Sequence, residues 1–381
     1  MVNKRLVMIP GPTPVVKSIQ DEMGREVQAF GDPRFVQDYK EVIKDLGESV
    51  NCSGQTFCIA GTGTLAMEMA VANTTKAGDE ILLVSHGFFG DRFIEICEKK
   101  GLKLEILQAE WGRIIPVEAI EARLAEKNYS ALLVSHVDTA TGVLAPLQEI
   151  GAMIEKYPET LLIVDGVAAT LGEFTDFDAM NIDVLFTGSQ KAFGVSPGLL
   201  MLWASEKALA RREALGNIPE YYIDFKKWIP IMEDPSKYFA TPAINLIWAL
   251  KESLRIAKEE GYHARYERHL KNARAMQLAL ETLGFTLLAE EGRRAVTLSN
   301  LLYPADIDDA KFRSTCMEEG MIVAGGLAAY AGKMFRLGHM GNVDINDEVS
   351  VLGIIERAIF RVSGEDRLGQ GVAVYMREML K

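Results

Sequence analysis

Asp165 closes the apolar run Leu161-Leu162-Ile163-Val164, and Lys191 follows Thr187-Gly188-Ser189-Gln190 just after a second apolar run, Val184–Phe186. Short apolar runs that end in polar and glycine positions are read as neighbouring buried strands. A carboxylate and a lysine, 26 positions apart (191 − 165), then stand at strand ends, where ligands bind in open α/β sheets. Small and apolar neighbours desolvate the lysine, which lowers its pKa and frees a nucleophilic amine. A buried carboxylate is costly without a cationic partner, and a protonated pyridine nitrogen is such a partner. A lysine able to form a Schiff base and a carboxylate able to hold a ring nitrogen are what pyridoxal phosphate chemistry asks of a protein. Taken singly, each has a plainer reading: a surface lysine, and a cap for Gly166-Val167-Ala168.

Other stretches supply further parts. Gly61-Thr62-Gly63-Thr64 lies between a strand and a helix, where backbone N–H groups can hold a phosphate. Gly61-x-Gly63-x-x-Ala66 also matches a dinucleotide fingerprint, but its acidic candidates, Asp79 and Glu80, open a strand instead of closing one. Phe88-Phe89-Gly90 offers a ring that can stack on a flat cofactor, or a plain core aromatic. Asp138-Thr139-Ala140-Thr141-Gly142 offers hydroxyls for a cofactor's ring oxygen, or for capping its own turn. Arg336, in Met334-Phe335-Arg336-Leu337-Gly338, has apolar neighbours and fits a planar anion such as a substrate carboxylate; a structural ion pair is the alternative. His86, His136, His263, His269 and His339 lack metal-binding spacing, and no G-x-S-x-G elbow is present.

These residues need a scaffold, and the 381-residue chain has room for two domains. Residues 1–20, with Pro10-Gly11-Pro12-Thr13-Pro14, read as an extended segment. Val36–Val50 is a helix. Strands at Thr56–Ala60, Glu80–Ser85, Lys103–Gln108, Ala131–Ser135, Leu161–Val164, Val184–Phe186 and Gly198–Trp203 then alternate with helices at Thr64–Ala72, Phe89–Lys100, Pro116–Glu126 and Leu147–Lys156. That alternation predicts a mainly parallel sheet covered on both faces, a large α/β domain over residues 21–260. A long helix over Thr241–Glu260 closes it, capped by Thr241 with Pro242 in its first turn. Residues 261–381 read as a smaller α+β domain, whose amphipathic end at 362–381, with Gly369 and Gly371, could be a helix packing on either domain.

Composition narrows the partners. A formal net charge of −12 argues against nucleic acid and anionic membranes. No apolar run approaches the roughly 18 residues of a spanning helix, and no secretory leader is evident. Cys52, Cys58, Cys97 and Cys316 have no paired spacing and read as reduced thiols of a cytoplasmic protein.

The ordered set Pro10-Gly11-Pro12, Gly61-Thr62-Gly63, Phe88-Phe89-Gly90, Thr139-Ala140-Thr141-Gly142, Asp165-Gly166-Val167, Gly188-Ser189-Gln190-Lys191, Thr241-Pro242 and Arg336-Leu337-Gly338 resembles the class V aminotransferases. Within them it is most similar to the alanine–glyoxylate / serine–pyruvate branch. The resemblance implies a fold-type I pyridoxal-phosphate enzyme, a homodimer with active sites shared between subunits. It implies that Lys191 carries the cofactor, Asp165 holds its ring nitrogen, Phe89 and Val167 sandwich the ring, and Thr139 reaches the ring hydroxyl. Gly61, Thr62, Gly63, Thr64 and Gln190 would surround the phosphate, completed by Tyr238 and Thr241 of the partner. Arg336 would bind the substrate carboxylate, with Pro10 and Gly11 shaping the pocket. The implied reaction moves an amino group from alanine or serine to glyoxylate or pyruvate. Two stretches depart from the pattern: Gly198-Leu199-Leu200 carries leucine where a small residue is usual, and Phe30-Gly31-Asp32-Pro33 replaces a His-x-Ser-Pro. Two other readings stand beside it. One is another enzyme of the same fold: an aspartate aminotransferase, a lyase, or a desulfurase with Cys316 as its thiol. The other is a nucleotide-binding protein built on Gly61-Thr62-Gly63.

Overall fold

The computed structural model describes residues 5–381. Seven strands form the large sheet: β1 (Gln55–Ala60), β2 (Glu80–Ser85), β3 (Lys103–Gln108), β4 (Ala131–Ser135), β5 (Leu161–Asp165), β6 (Val184–Gly188) and β7 (Leu199–Ala204). Their spatial order is β1-β7-β6-β5-β4-β2-β3. From β6 to β3 all neighbours are parallel. β7 runs antiparallel to both β6 and β1. Ten residues, 189–198, join β6 to β7, too few for the crossover a parallel pair needs.

Every residue of β4, β5, β6 and β7 is buried, which is why these strands are continuous apolar runs. Helices Pro33–Ser49, Gly63–Thr74, Phe88–Lys99, Val117–Leu124, Leu147–Ile154 and Ile244–Glu260 belong to the elements around this sheet. The first of them starts where Asp32 accepts the N–H of Arg34, with Pro33 opening the turn.

A second, four-stranded antiparallel sheet follows, in the order Thr286–Leu287, Leu298–Leu302, Met334–Gly338, Ala324–Gly325. It has its own apolar core, in which Phe312 and Phe285 pack on Phe335 with ring centroids 5.1 and 5.2 Å away. The chain's beginning joins this smaller lobe: Leu6–Val7 pairs in parallel with Met321–Ile322. The segment then crosses to the large sheet, where Thr13 donates its N–H to the carbonyl of Gln190 (3.0 Å) and its hydroxyl to that of Lys191 (2.8 Å).

Several elements depart from expectation. The extended reading of residues 1–20 fails at its end, because Lys17–Met23 is helical and buries Ile19 against the large core. Thr241-Pro242 does not cap the following helix, which begins at Ile244 after Ala243 with no side-chain cap. The Ile244 N–H instead reaches the carbonyl of Pro242 at 3.0 Å, so the two residues belong to the preceding loop. Helices Glu206–Ala214 and Phe225–Glu233 were not anticipated; the second contains Pro230. Beyond residue 361, Gln370–Met379 is a helix docked on the smaller lobe, where Tyr375 donates to Asn272 at 2.7 Å. Among the described residues no helix is long and apolar enough to cross a membrane.

Candidate active site

Because β1 and the parallel strands share one direction, their C-terminal ends open on one edge of the sheet. A cavity of about 240 Å³ lies there. Its lining includes Gly11, Thr62, Gly63, Thr64, Phe89, Thr139, Asp165, Val167, Gln190 and Lys191. These residues come from six separate stretches of sequence. Of the other expected residues, Pro10 and Arg336 contact this lining without being part of it. Gly61 sits behind it, donating its N–H to Gly198 (2.9 Å), and a Cβ there would lie 2.7 Å from Leu200. Tyr238 and Thr241 are exposed, 3.4 Å apart through their hydroxyls, and do not line the cavity of their own chain.

Asp165 and Phe186 are register partners, so the ends of β5 and β6 lie side by side. Asp165 is buried, and its carboxylate accepts the N–H of Val167 at 2.9 Å. Burial, reinforced by Asp138, pushes its carboxyl up to about 7, against the pull of that N–H and of Lys191. Lys191 is buried as well, and burial brings its ammonium down to about 8; Asp165 resists the fall and Arg336 adds to it. The Lys191 amine donates to the Pro10 carbonyl. The two groups face one cavity without forming a direct ion pair. An amine that is partly neutral near neutral pH is a nucleophile and a proton carrier.

The N-terminus of helix Gly63–Thr74 points its first turn at the cavity, with Thr62 accepting the N–H of Leu65 at 3.4 Å. Gly63 allows that approach, since a Cβ would sit 2.9 Å from Val167 Cγ2. Phe89 lies in the first turn of helix Phe88–Lys99 and is fixed through its backbone: its N–H and that of Gly90 donate to Asp138 at 2.9 and 3.3 Å. The other Asp138 oxygen accepts from Ala140 at 2.8 Å, so one buried carboxylate positions both Phe89 and the Thr139 loop. Arg336 donates from Nε to Gly325 (2.8 Å) and from Nη1 to Thr139 (3.4 Å). Among the described residues it has no carboxylate partner, so the structural ion pair is not made.

Two features, one behind the cavity and one lining it, escaped the sequence reading. Asp138 stood there only as the start of a threonine-rich turn. Arg92, which lines the cavity, carries no motif of its own and is three residues past Phe89.

Gly11 has φ +96°, and a Cβ there would fall 2.6 Å from Lys191 Cδ. Gly11→Ala is therefore expected to displace the lysine and cut the turnover number by about a hundredfold, the cost of a misplacement near 1 Å. A steady-state kcat equal to the parent's would refute this role for Gly11.

Comparison with known proteins gives a consistent result. Residues 13–345 match the sequence profile described as Aminotransferase class-V. The chain is 34% identical over 380 residues to an uncharacterized aminotransferase of Methanocaldococcus jannaschii, covering 99% of this chain and 98% of that one. It is 32% identical over 347 residues to the serine–glyoxylate aminotransferase of Hyphomicrobium methylovorum, covering 89% and 85%. Among solved structures, an alanine–glyoxylate aminotransferase from Nostoc sp. superposes with a TM-score of 0.90 at 29% identity, covering 94% of this chain and 96% of that one. The large parallel sheet with its smaller α+β lobe is thus the architecture of fold-type I transferases, and the chain belongs to the class-V aminotransferases.

Proposed function

We propose that the protein is a pyridoxal-phosphate-dependent aminotransferase that moves an amino group from alanine or serine to glyoxylate or pyruvate, in ping-pong order. The observation that carries this reading is the pairing of buried Lys191 with buried Asp165 across one cavity at the sheet edge. Two details support a fit to the cofactor. Gly63 leaves a cradle that a Cβ would fill, and the helix it opens points its first turn at the cavity. Gly63, Thr62, Thr64 and Gln190 would hold the phosphate, Phe89 and Val167 the ring faces, Thr139 the ring hydroxyl, and Asp165 the ring nitrogen.

When bound, the cofactor supplies an electron sink for the bond that breaks at the substrate Cα. Lys191 would hold the cofactor covalently and, as a free amine, would carry a proton to and from the substrate Cα. Asp165 would hold the ring nitrogen in its protonated form through a charge-assisted bond. Arg336 holds the substrate carboxylate and so sets which bond at Cα is broken. Pro10 and Gly11, against the Lys191 side chain, bound the space for the substrate.

The same reading has two subunits sharing active sites. The exposed Tyr238 and Thr241, unused by their own cavity, support their assignment to the partner's phosphate site. The two apolar cores support large and small domains that meet near residue 260. Four unpaired thiols, three of them buried, support a cytoplasmic setting. A desulfurase is disfavoured, because Cys316 is buried inside helix Asp309–Glu318 and burial pushes its thiol up to about 12. A dinucleotide site is disfavoured too, since Asp79 and Glu80 lie at the start of β2, the opposite edge from the cavity.

The test is the visible absorption of protein supplied with pyridoxal phosphate. A band that bleaches with L-alanine or L-serine and returns with glyoxylate or pyruvate is expected. Bleaching by L-aspartate alone would reassign the donor, and no band at all would overturn the reading.

A further inference from the structure

Acidic residues outnumber basic ones in this chain, 53 to 41, and most buried or half-buried cations find a carboxylate. Lys191, Arg336 and Arg92 do not: among the described residues none of the three is in an ion pair. All three stand at the cavity or against its lining. Leaving cations unpaired at a half-buried site costs free energy unless an anion arrives there. Lys191 has a covalent role in the reading above, and Arg336 stands beside Thr139. Arg92 stands elsewhere, beside Thr64 at the helix N-terminus, and nothing so far uses it.

We propose that Arg92 binds the anionic end of the cofactor, its phosphate ester, adding a full charge to a cradle otherwise made of neutral donors; this rests on the functional reading above. Arg92 is half-buried on helix Phe88–Lys99. Its Nη1 donates to the Thr64 hydroxyl at 3.1 Å, which aligns that hydroxyl and leaves its other N–H groups available. The guanidinium carbon lies 4.9 Å from the Phe89 ring centroid and 5.5 Å from that of Phe88. Stacked against two rings, the guanidinium is held in place, so little is lost in ordering it around an anion. Its nearest acid in sequence, Asp91, is occupied elsewhere, accepting from Ser85 at 2.7 Å and from Gln108 at 3.2 Å. The helix Gly63–Thr74 adds its positive end at the same place. A guanidinium, a hydroxyl and a helix N-terminus converge there on one anion.

The anion could also be the second carboxylate of a dicarboxylic substrate, and the experiment separates the two. Equilibrium binding of pyridoxal phosphate and of pyridoxal, which lacks the phosphate, is followed by absorbance for the parent, Arg92→Ala and Arg92→Lys, with inorganic phosphate as competitor. Arg92→Ala is expected to weaken pyridoxal phosphate binding at least about tenfold while pyridoxal changes by less than about twofold, the mark of a lost charge-assisted bond to phosphate. Arg92→Lys should recover part of the loss, and inorganic phosphate should compete less well against the alanine variant. Equal weakening of both ligands would mean that Arg92 acts only by holding Phe89, and would overturn the proposal. Unchanged pyridoxal phosphate affinity would overturn it too, and a raised KM for L-aspartate relative to L-alanine would then give the anion to the substrate. A parent protein that binds inorganic phosphate through Arg92 but not pyridoxal phosphate would sink the functional reading and leave the anion site standing.

Discussion

Lys191→Ala is expected to yield a folded protein that holds no covalently attached pyridoxal phosphate and turns over at least about ten thousand times more slowly than the parent, since proton transfer alone is worth up to about that factor. The amine is the one buried nucleophile that faces both Asp165 and the cavity. Neither nearby histidine can replace it. His136 and His86 are buried, with burial bringing each down to about 4, and neither lines the cavity. The fold should survive, because the lysine contributes to the empty protein only its contact with the Pro10 carbonyl and makes no ion pair. Its lowered pKa also carries a sign. The unfolded chain binds this proton more tightly, so the lysine subtracts stability below about pH 8, and the subtraction fades as pH rises toward 10.5. Truncating it should therefore not lower the melting temperature at pH 7 by much. Borohydride reduction followed by mass spectrometry reads the attachment, and single-turnover absorbance reads the proton transfer. An alanine variant with parental activity would remove Lys191 from the mechanism.

Asp165→Asn is expected to lower kcat by about a hundredfold or more, as does removal of a group that stabilises developing charge, while leaving the cofactor-free protein at least as stable as the parent near neutral pH. The two effects have one origin. The carboxyl is pushed up from 3.8 to about 7 because it is buried without a cation at contact. Its folded pKa lies above its unfolded one, so between those values the folded protein holds the proton more often. Stability contributed by this group is complete below about pH 4 and is lost as pH rises toward 7. Asparagine has no such proton, and the variant should lose that part of the decline in a urea-unfolding series from pH 4 to 7. Parallel curves for parent and variant would mean that Asp165 is not strained in the empty site. A near-parental kcat would mean that the ring nitrogen, if held at all, is held by another group.

The large sheet was legible because buried parallel strands leave unbroken apolar runs, and each run ended within two residues of the strand found. Lys191 and Asp165 were legible for the same reason: they stand just past two of those runs. The direction of β7 was not legible, since Gly198–Trp203 is equally apolar whichever way it runs. Arg92 was hidden because its meaning lies in Thr64, 28 positions away on another helix. Where the C-terminal helix docks was hidden because its cap is tertiary: Glu356 of helix Ile345–Ser363 accepts the N–H groups of Gly369 (2.7 Å) and Val372 (2.9 Å). Thr241-Pro242 has the local signature of a helix start, yet the chain reserves it for a loop. Local propensity gives way where tertiary contacts decide.

The strap formed by residues 6–13 has a consequence for how the enzyme is made. Its partners are far downstream: Leu6–Val7 needs Met321–Ile322, and the carbonyl of Met8 needs the N–H of Gly338. On the ribosome, the large sheet can close well before those residues emerge. Until they do, the strap is held above Lys191 from one end only, through the bonds of Thr13 to the carbonyls of Gln190 and Lys191. The cover over Lys191 is thus completed only by residues 321–338, and a polypeptide released before them, with its main sheet intact, would carry the lysine under a strap tied at one end.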